Sequence, residues 1–234
     1  MSRRIVSLVP SITETLLAWG VAPIAVTRFC EAEGIETVGG TKNPDVGAIT
    51  RLRPDVVLMD KEENRAPDAA SLVEAGVDVV ATAVRSLADV GPALAVLADV
   101  VGAPSPELPS PPGATGPVPG RPPAVFVPIW RRPWMTVGGA TYGSSLLSAA
   151  GFRNVFAASA DPYPTTELTD AAAQRPDRVL APSEPYPFRE RHRWELEAVA
   201  PVCFVDGRDL FWWGVRTGPA WRRLREMADD LRGA

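Results

Sequence analysis

The hydrophobic pattern of this chain divides it into two halves of the same kind. Short apolar runs typical of buried strands alternate with longer segments whose apolar residues recur at helical spacing. Short loops join these segments, a pattern that favours parallel sheets flanked by helices. The predicted strands are Arg4–Val9, Ile24–Phe29, Val56–Met59 and Val77–Ala81 in the first half, and Ala124–Trp130, Trp134–Val137 and Pro201–Asp206 in the second.

A proline-rich run separates the two halves. Nine prolines lie between Ala103 and Pro123, and each removes a backbone donor, so we predict that this segment is extended or poorly ordered and that shortening it costs little stability. The residues before it, 86–102, predict one helix. The resulting domain prediction is an N-terminal lobe over 1–84, a connecting helix with the proline-rich segment over 85–123, and a C-terminal lobe over 124–234.

The two halves also repeat a local pattern. Residues 48–59 and 171–181 both read as a helix, an Arg-Pro-Asp turn and a buried strand. Repetition at this scale predicts two lobes of similar build with a ligand cleft between them. In the register of the repeat Glu62 matches Glu184, and we expect the two carboxylates to face each other in that cleft.

Composition and charge narrow the function classes. The 234 residues are 46% apolar and 22% charged with a net charge of −4, which favours a soluble globular protein without a nucleic-acid or anionic-membrane partner. No apolar run is long enough to insert in a membrane. The first residues show no secretory segment, so we expect a cytoplasmic location; a periplasmic or lipid-anchored one would require a misassigned start codon.

Few residues are available for metal or catalytic chemistry. Cys30 and Cys203 lie in different halves, and we expect free thiols. The single histidine, His192, lies among arginines and is expected to be solvated. A bare zinc or manganese site needs two or more imidazoles or thiolates close together, so none is predicted. No nucleophile and base accompany the glutamates, so we assign no catalytic residue and predict that the protein is not an enzyme.

The candidate binding residues lie in the loops that follow the predicted strands. Ligands of parallel α/β sheets bind beyond the carboxyl ends of the strands, and these loops are rich in aromatic and charged side chains. Arginines in them are also the candidate partners of the two glutamates. On this basis we assign ligand binding to Pro10, Ser11, Phe29, Glu62, Glu63, Arg65, Trp130, Arg131, Trp134, Glu184, Tyr186 and Trp212.

Several segments resemble a known family. Residues 4–18, 39–45 and 52–58 resemble the first lobe of the cobalamin and iron–siderophore binding proteins of ABC importers, the helical-backbone metal receptors, and residues 134–139 and 147–156 resemble the start of their second lobe. The resemblance implies an α/β fold of the class III periplasmic-binding-protein kind. Such a fold has two sandwich-like lobes with mostly parallel sheets, joined by a connecting helix.

The resemblance also implies a function. Tyr163 matches a ligand-stacking aromatic of the cobalamin binders, whereas Asp60 replaces another. The acidic residues that dock on the permease match Ala66 and Thr169, which are not acidic, so a permease partner is left open. The leading hypothesis is a non-catalytic binding protein for a corrinoid, siderophore or similar chelate, with no cofactor assigned. The alternatives are an importer substrate-binding protein whose signal peptide is missing and a cytosolic enzyme that uses Glu62 and Glu184.

Overall fold

The computed structural model describes residues 3–103 and 120–233. The predictions for the proline-rich segment therefore lie mostly outside the described residues. Contacts group the chain into two compact units. The first contains the residues up to Val84, the helix from Ala88 and the short segment Trp213–Arg216; the second contains Arg85–Leu87 and the second half of the chain apart from that segment. The domain boundaries at 84 and 124 stay a prediction.

The first unit is built on a five-stranded sheet in which every strand is parallel to its neighbours. The elements in chain order are β1 Ile5–Ser7, α1 Pro10–Ala18, β2 Ala25–Val26, β3 Glu36–Thr37, β4 Gly39–Gly40, β5 Asn43–Pro44, α2 Val46–Leu52, β6 Val56–Asp60, α3 Ala66–Glu74, β7 Val79–Thr82 and α4 Leu87–Val101. The strand order in the sheet is β3-β2-β1-β6-β7, and β4 and β5 form a short antiparallel hairpin between β3 and α2.

The core of the first unit explains why its central strands read as continuous apolar runs. Strands β1 and β6 are buried along their whole length, as expected for central strands of a parallel sheet covered on both faces. Val6, Val57 and Met59 pack with Leu72 of α3 and Ile49 of α2 in one apolar cluster. The carboxyl ends of these strands are thereby held at one edge of the sheet.

The second unit is built on a four-stranded parallel sheet and an antiparallel pair of strands. Its elements are β8 Ala124–Phe126, β9 Pro128–Trp130, β10 Met135–Thr136, α5 Tyr142–Ala150, β11 Arg153–Asn154, α6 Leu168–Ala173, β12 Arg178–Pro182, a 3-10 turn Glu190–His192, α7 Arg193–Leu196, β13 Val202–Val205, α8 Gly207–Phe211 and α9 Thr217–Gly233. The parallel sheet has the order β11-β8-β12-β13, and the antiparallel pair is β9–β10.

The predicted α/β class with mostly parallel sheets is confirmed in both units. The segment from Arg189 to Val199 is not one continuous helix but contains the 3-10 turn followed by the short α7. The side chain of His192 turns inward and accepts a hydrogen bond from the backbone N–H of Arg189 at 3.1 Å. This local bond replaces the regular helical pattern at the start of the segment.

Candidate ligand-binding site

The carboxyl edge of the first sheet presents one exposed aromatic residue. Phe29 follows β2 and is 53% exposed, and the guanidinium of Arg28 lies 4.9 Å from the centroid of its ring. A Cβ at Gly40 would lie 3.1 Å from the Phe29 ring, so this glycine lets the β4–β5 hairpin pass close to it. Pro10 and Ser11 begin α1 after β1; Pro10 is half-buried and Ser11 is buried.

The loop after β6 is fixed by two buried polar side chains. Asp60 accepts hydrogen bonds from the Thr82 hydroxyl at 2.6 Å and from the backbone N–H of Glu62 at 2.9 Å. Burial raises the pKa of the Asp60 carboxyl above its usual value, although these hydrogen bonds oppose the shift. Asn64 donates to the carbonyl oxygens of Leu8 and Thr41, at 3.2 and 2.9 Å. The loop is thus tied to the end of β1 and to the hairpin.

Three predicted binding residues of the first unit lie in that loop. Glu62 and Glu63 are half-buried, and Arg65 is exposed at the start of α3. Lys42 donates to the carbonyl oxygen of Glu62 at 2.6 Å. Burial raises the pKa of the Glu63 carboxyl, and the positive charge of Lys42 acts in the opposite direction. The expected pairing of Glu62 with Glu184 stays a prediction, because the two residues belong to different units.

The second unit brings five aromatic rings together, which we call the aromatic wall. Trp134 stacks on Phe188 with ring centroids 5.9 Å apart, and Tyr186 lies 4.8 Å from Phe188. The Trp130 ring meets Tyr186 edge-on at 5.7 Å and is 45% exposed. Tilted and edge-on contacts at these distances stabilise aromatic clusters beyond simple burial. The members of the aromatic wall are Trp130, Trp134, Tyr186, Phe188 and His192.

An ion pair lies next to the aromatic wall. Arg131, predicted to contact ligand, makes two hydrogen bonds to Glu195, from Nε at 2.9 Å and from Nη2 at 2.5 Å. These bonds hold the pKa of the Glu195 carboxyl below its usual value. The guanidinium is therefore committed to a partner from α7 that the sequence reasoning did not identify. A direct role of Arg131 in binding stays a prediction.

The expectation that His192 is solvated is wrong. The side chain is buried against the rings of Tyr186 and Phe188, at 5.5 and 5.8 Å. The backbone N–H of Arg189 points at Nδ1 and the Arg191 Nε lies 3.2 Å from Nε2, so both ring nitrogens face donors. Burial, followed by the charges of Arg191 and Arg131, lowers the pKa of His192 below its ordinary value. The neighbouring arginines in the sequence suggested a solvated side chain, but the packing depends on rings that are near His192 in space.

This arrangement predicts how His192 titrates. Because the folded-state pKa is lowered, the stability linked to His192 is present above the unfolded pKa of about 6.5 and is lost as pH falls toward the folded value. For one titrating group, the free energy of unfolding cannot fall by more than about 1.4 kcal/mol per pH unit. His192 is the single histidine of the chain, so its ring protons can be followed by NMR without assignment. We expect the titration of these ring protons in the folded protein to have its midpoint below pH 6.5.

The control for this titration is His192→Gln, which should remove the His192-linked part of the pH dependence of unfolding between pH 7.5 and 5.5. A midpoint at or above 6.5 in the folded protein would contradict the described packing. So would a His192→Gln variant whose stability keeps the same pH dependence as the parent.

The remaining predicted residues of the second unit are placed in two loops. Glu184 follows β12 and is half-buried, and its backbone lies against Gly207, whose N–H donates to the Ser183 hydroxyl at 3.0 Å. Tyr163 is half-buried in a segment that pairs with the region after β10, through bonds such as Gly138 N–H to the carbonyl of Pro162 at 2.8 Å. Trp212, by contrast, is buried at the end of α8.

The sequence reasoning did not assign Phe188, His192, Glu195 or Gly207 to the site. A signal existed for Phe188, because it ends the loop Ser183–Phe188 after a predicted strand. No sequence signal pointed to Glu195, which lies 64 residues from Arg131.

In the part of the chain that the structure describes, no group of three or more His, Cys, Asp or Glu side chains is placed to hold a metal ion. None of the described helices has the length and apolar character needed to cross a membrane.

Curated proteins similar to this chain bind vitamin B12. The vitamin B12-binding protein of Salmonella paratyphi A is 26% identical over 194 residues, which cover 76% of this chain and 71% of that protein. The vitamin B12-binding protein of Pectobacterium carotovorum is 25% identical over 238 residues, which cover 94% of this chain and 84% of that protein. No protein-family model matches the sequence. The resemblance inferred from the sequence motifs is confirmed by these relatives.

Solved structures share the fold. The periplasmic vitamin B12 binding protein of Vibrio cholerae aligns with a TM-score of 0.78 at 19% identity, covering 100% of this chain and 99% of that one. The periplasmic heme-binding protein BhuT, solved with two hemes, aligns with a TM-score of 0.83 at 20% identity, covering 99% of both chains. At these identities the likeness establishes the fold, and the class III prediction is confirmed.

The expected cytoplasmic location is contradicted by the same comparisons, because the structures that share the fold are periplasmic binding proteins. That expectation was based on the first residues of the sequence. Those residues do not decide the location of a protein whose relatives act in the periplasm.

Proposed function

We propose that this chain binds a large, flat metal chelate of the corrinoid or tetrapyrrole class and passes it, chemically unchanged, to an ABC importer. The observation that carries the proposal is the aromatic wall, formed by segments that follow β8 and β12 of the second sheet. Ligands of parallel sheets bind at this edge. The similarity to vitamin B12-binding proteins and the fold shared with periplasmic B12- and heme-binding proteins support the same function.

The chemistry of the aromatic wall suits such a ligand. The exposed face of Trp130 and the half-buried rings of Trp134 and Tyr186 offer flat apolar surface on a rigid base. A conjugated macrocycle buries a large area against flat rings, and little side-chain entropy is lost because the rings already hold one another. Within the first unit, Phe29 is a separate exposed ring with the Arg28 guanidinium on its face.

A permease of the importer is the proposed protein partner. The positions matched to docking carboxylates, Ala66 and Thr169, are exposed at the starts of α3 and α6. Glu167 and Asp170 flank Thr169 and are also exposed. We propose that these two carboxylates take the docking role on the second unit, since a negative pair at a helix start complements a basic partner surface.

The experiment is a titration of the purified protein with cyanocobalamin and with hemin, followed by calorimetry and by absorbance. We expect saturable 1:1 binding of at least one of the two. Trp130→Ala should weaken that binding about tenfold or more, roughly 1.4 kcal/mol, because a stacked ring is lost. The matched control is Trp194→Ala, since Trp194 on α7 is 73% exposed and outside the aromatic wall.

Two results would count against the proposal. If the parent protein binds neither cyanocobalamin nor hemin, this ligand class is wrong. If Trp194→Ala loses as much affinity as Trp130→Ala, the aromatic wall is not the contact surface. Retained binding in Trp194→Ala with a loss in Trp130→Ala is the expected outcome.

A further inference from the structure

The ion pair between Arg131 and Glu195 has three unusual features for one made by long polar side chains. It is bidentate, it joins the turn after β9 to α7, and both side chains are largely removed from water, with 18% and 15% of their surfaces exposed. Two charges taken out of water cost several kcal/mol in desolvation, and their attraction repays this only when the geometry is good. An ion pair of this kind is therefore weak evidence of added stability, and its position in the fold is the feature to explain.

The ion pair is connected to the aromatic wall on both sides. Trp130 immediately precedes Arg131 in the chain. Hydrogen bonding to Glu195, with a smaller effect of the Tyr186 phenol, raises the pKa of the Arg131 guanidinium. On α7, Glu195 follows the turn that carries His192, whose ring packs against Tyr186 at 5.5 Å. Tyr186 in turn meets Trp130 edge-on at 5.7 Å. The pair thus links the turn after β9, which lies between Trp130 and Trp134, to α7, which follows the 3-10 turn that carries His192.

We propose that Arg131 and Glu195 are positioning residues that hold Trp130 and Tyr186 in the orientation that receives the ligand. Arg131 acts through Tyr186 and the turn after β9, and Glu195 acts through Arg131. The inference deepens the proposed function and rests on it for its ligand. It changes the role expected of Arg131, which the sequence assigned to direct contact.

A second bidentate ion pair in the same unit provides a matched control. Arg223 of α9 donates from Nε and Nη2 to the two carboxylate oxygens of Asp209 on α8, both at 2.6 Å. Asp209 is buried. The pair joins α8 to α9, and neither helix supplies a ring of the aromatic wall. Breaking this pair should alter the free energy of unfolding without changing affinity.

The experiment compares Arg131→Lys and Glu195→Gln with Arg223→Lys, each titrated with cyanocobalamin and hemin. Lysine keeps the charge but cannot make the fork of two parallel hydrogen bonds. We expect Arg131→Lys and Glu195→Gln to weaken binding about tenfold, since unordered rings must be ordered on binding. Arg223→Lys should bind like the parent. The charge-reversed double variant Arg131→Glu with Glu195→Arg should recover part of the loss.

A ligand-free readout separates this inference from the proposed function. We expect the edge-on contact of Trp130 with Tyr186 to give a near-ultraviolet circular dichroism signal, identified as the part of the spectrum that is lost in Trp130→Phe. Arg131→Lys and Glu195→Gln should reduce that signal, and Arg223→Lys should not. If the parent binds neither ligand, the proposed function fails and this signal still tests the positioning role. An unchanged signal, or equal affinity losses in Arg131→Lys and Arg223→Lys, would overturn the inference.

Discussion

Replacing Phe126 with alanine is expected to destabilise the second unit by about 3–5 kcal/mol, the range typical of a buried Phe that leaves a cavity. Phe126 is fully buried at the end of β8, with its ring 5.9 Å from that of Phe156. It shares a core cluster with residues of β12, α6 and α7, and the half-buried Trp134 and Tyr186 pack against the same cluster. A cavity here would remove contacts from the sheet and from the base of the aromatic wall.

The measurement is urea unfolding of the parent and the variant followed by far-ultraviolet circular dichroism. The matched control is Phe29→Ala, the same change at a ring that is 53% exposed. Surface substitutions usually change stability by about 0.5 kcal/mol or less, and we expect little more from this one. Equal losses in the two variants, or a loss below about 1 kcal/mol for Phe126→Ala, would contradict the described core.

The fold was predictable because its buried strands appear in the sequence as runs of apolar residues. Val56 to Met59 is an uninterrupted apolar run, which is typical of a central strand in a parallel sheet covered on both faces, and the structure buries all of it. The helix before the proline-rich run was predicted over 86–102 and is observed at Leu87–Val101. Burial of apolar side chains is a property of local sequence, so periodicity reports it well.

The candidate site was predictable only in part, because its geometry depends on contacts between distant residues. The loops after the strands were identified, and with them Trp130, Trp134 and Tyr186. The partner of Arg131 could not be, because charge complementarity has no sequence period and Glu195 lies 64 residues away. His192 was misjudged for a related reason, since its neighbours in sequence are charged while its neighbours in space are aromatic rings.

Gly207 is the residue whose substitution should affect the proposed site most directly. It begins α8 directly after β13 and lies against the loop that carries Glu184 and Tyr186. A Cβ at this position would lie 2.5 Å from Glu184 Cγ, 2.6 Å from its carbonyl oxygen and 2.7 Å from its nitrogen. Two of these three atoms are backbone, so the clash cannot be relieved by a side-chain rotation. The loop Ser183–Phe188 would have to move.

Gly207→Ala is therefore expected to destabilise the protein by about 1–3 kcal/mol, as overpacking does, and to weaken cyanocobalamin or hemin binding more than about tenfold through displacement of Tyr186. The matched control is Gly91→Ala in α4, where a Cβ meets nothing within 4 Å. Alanine is favoured over glycine inside a helix by about 1 kcal/mol, so this control should be neutral or stabilising and should keep full affinity. Unfolding and titration of both variants decide the matter: if Gly207→Ala matches Gly91→Ala in affinity, the loop does not set the orientation of Tyr186 toward a ligand.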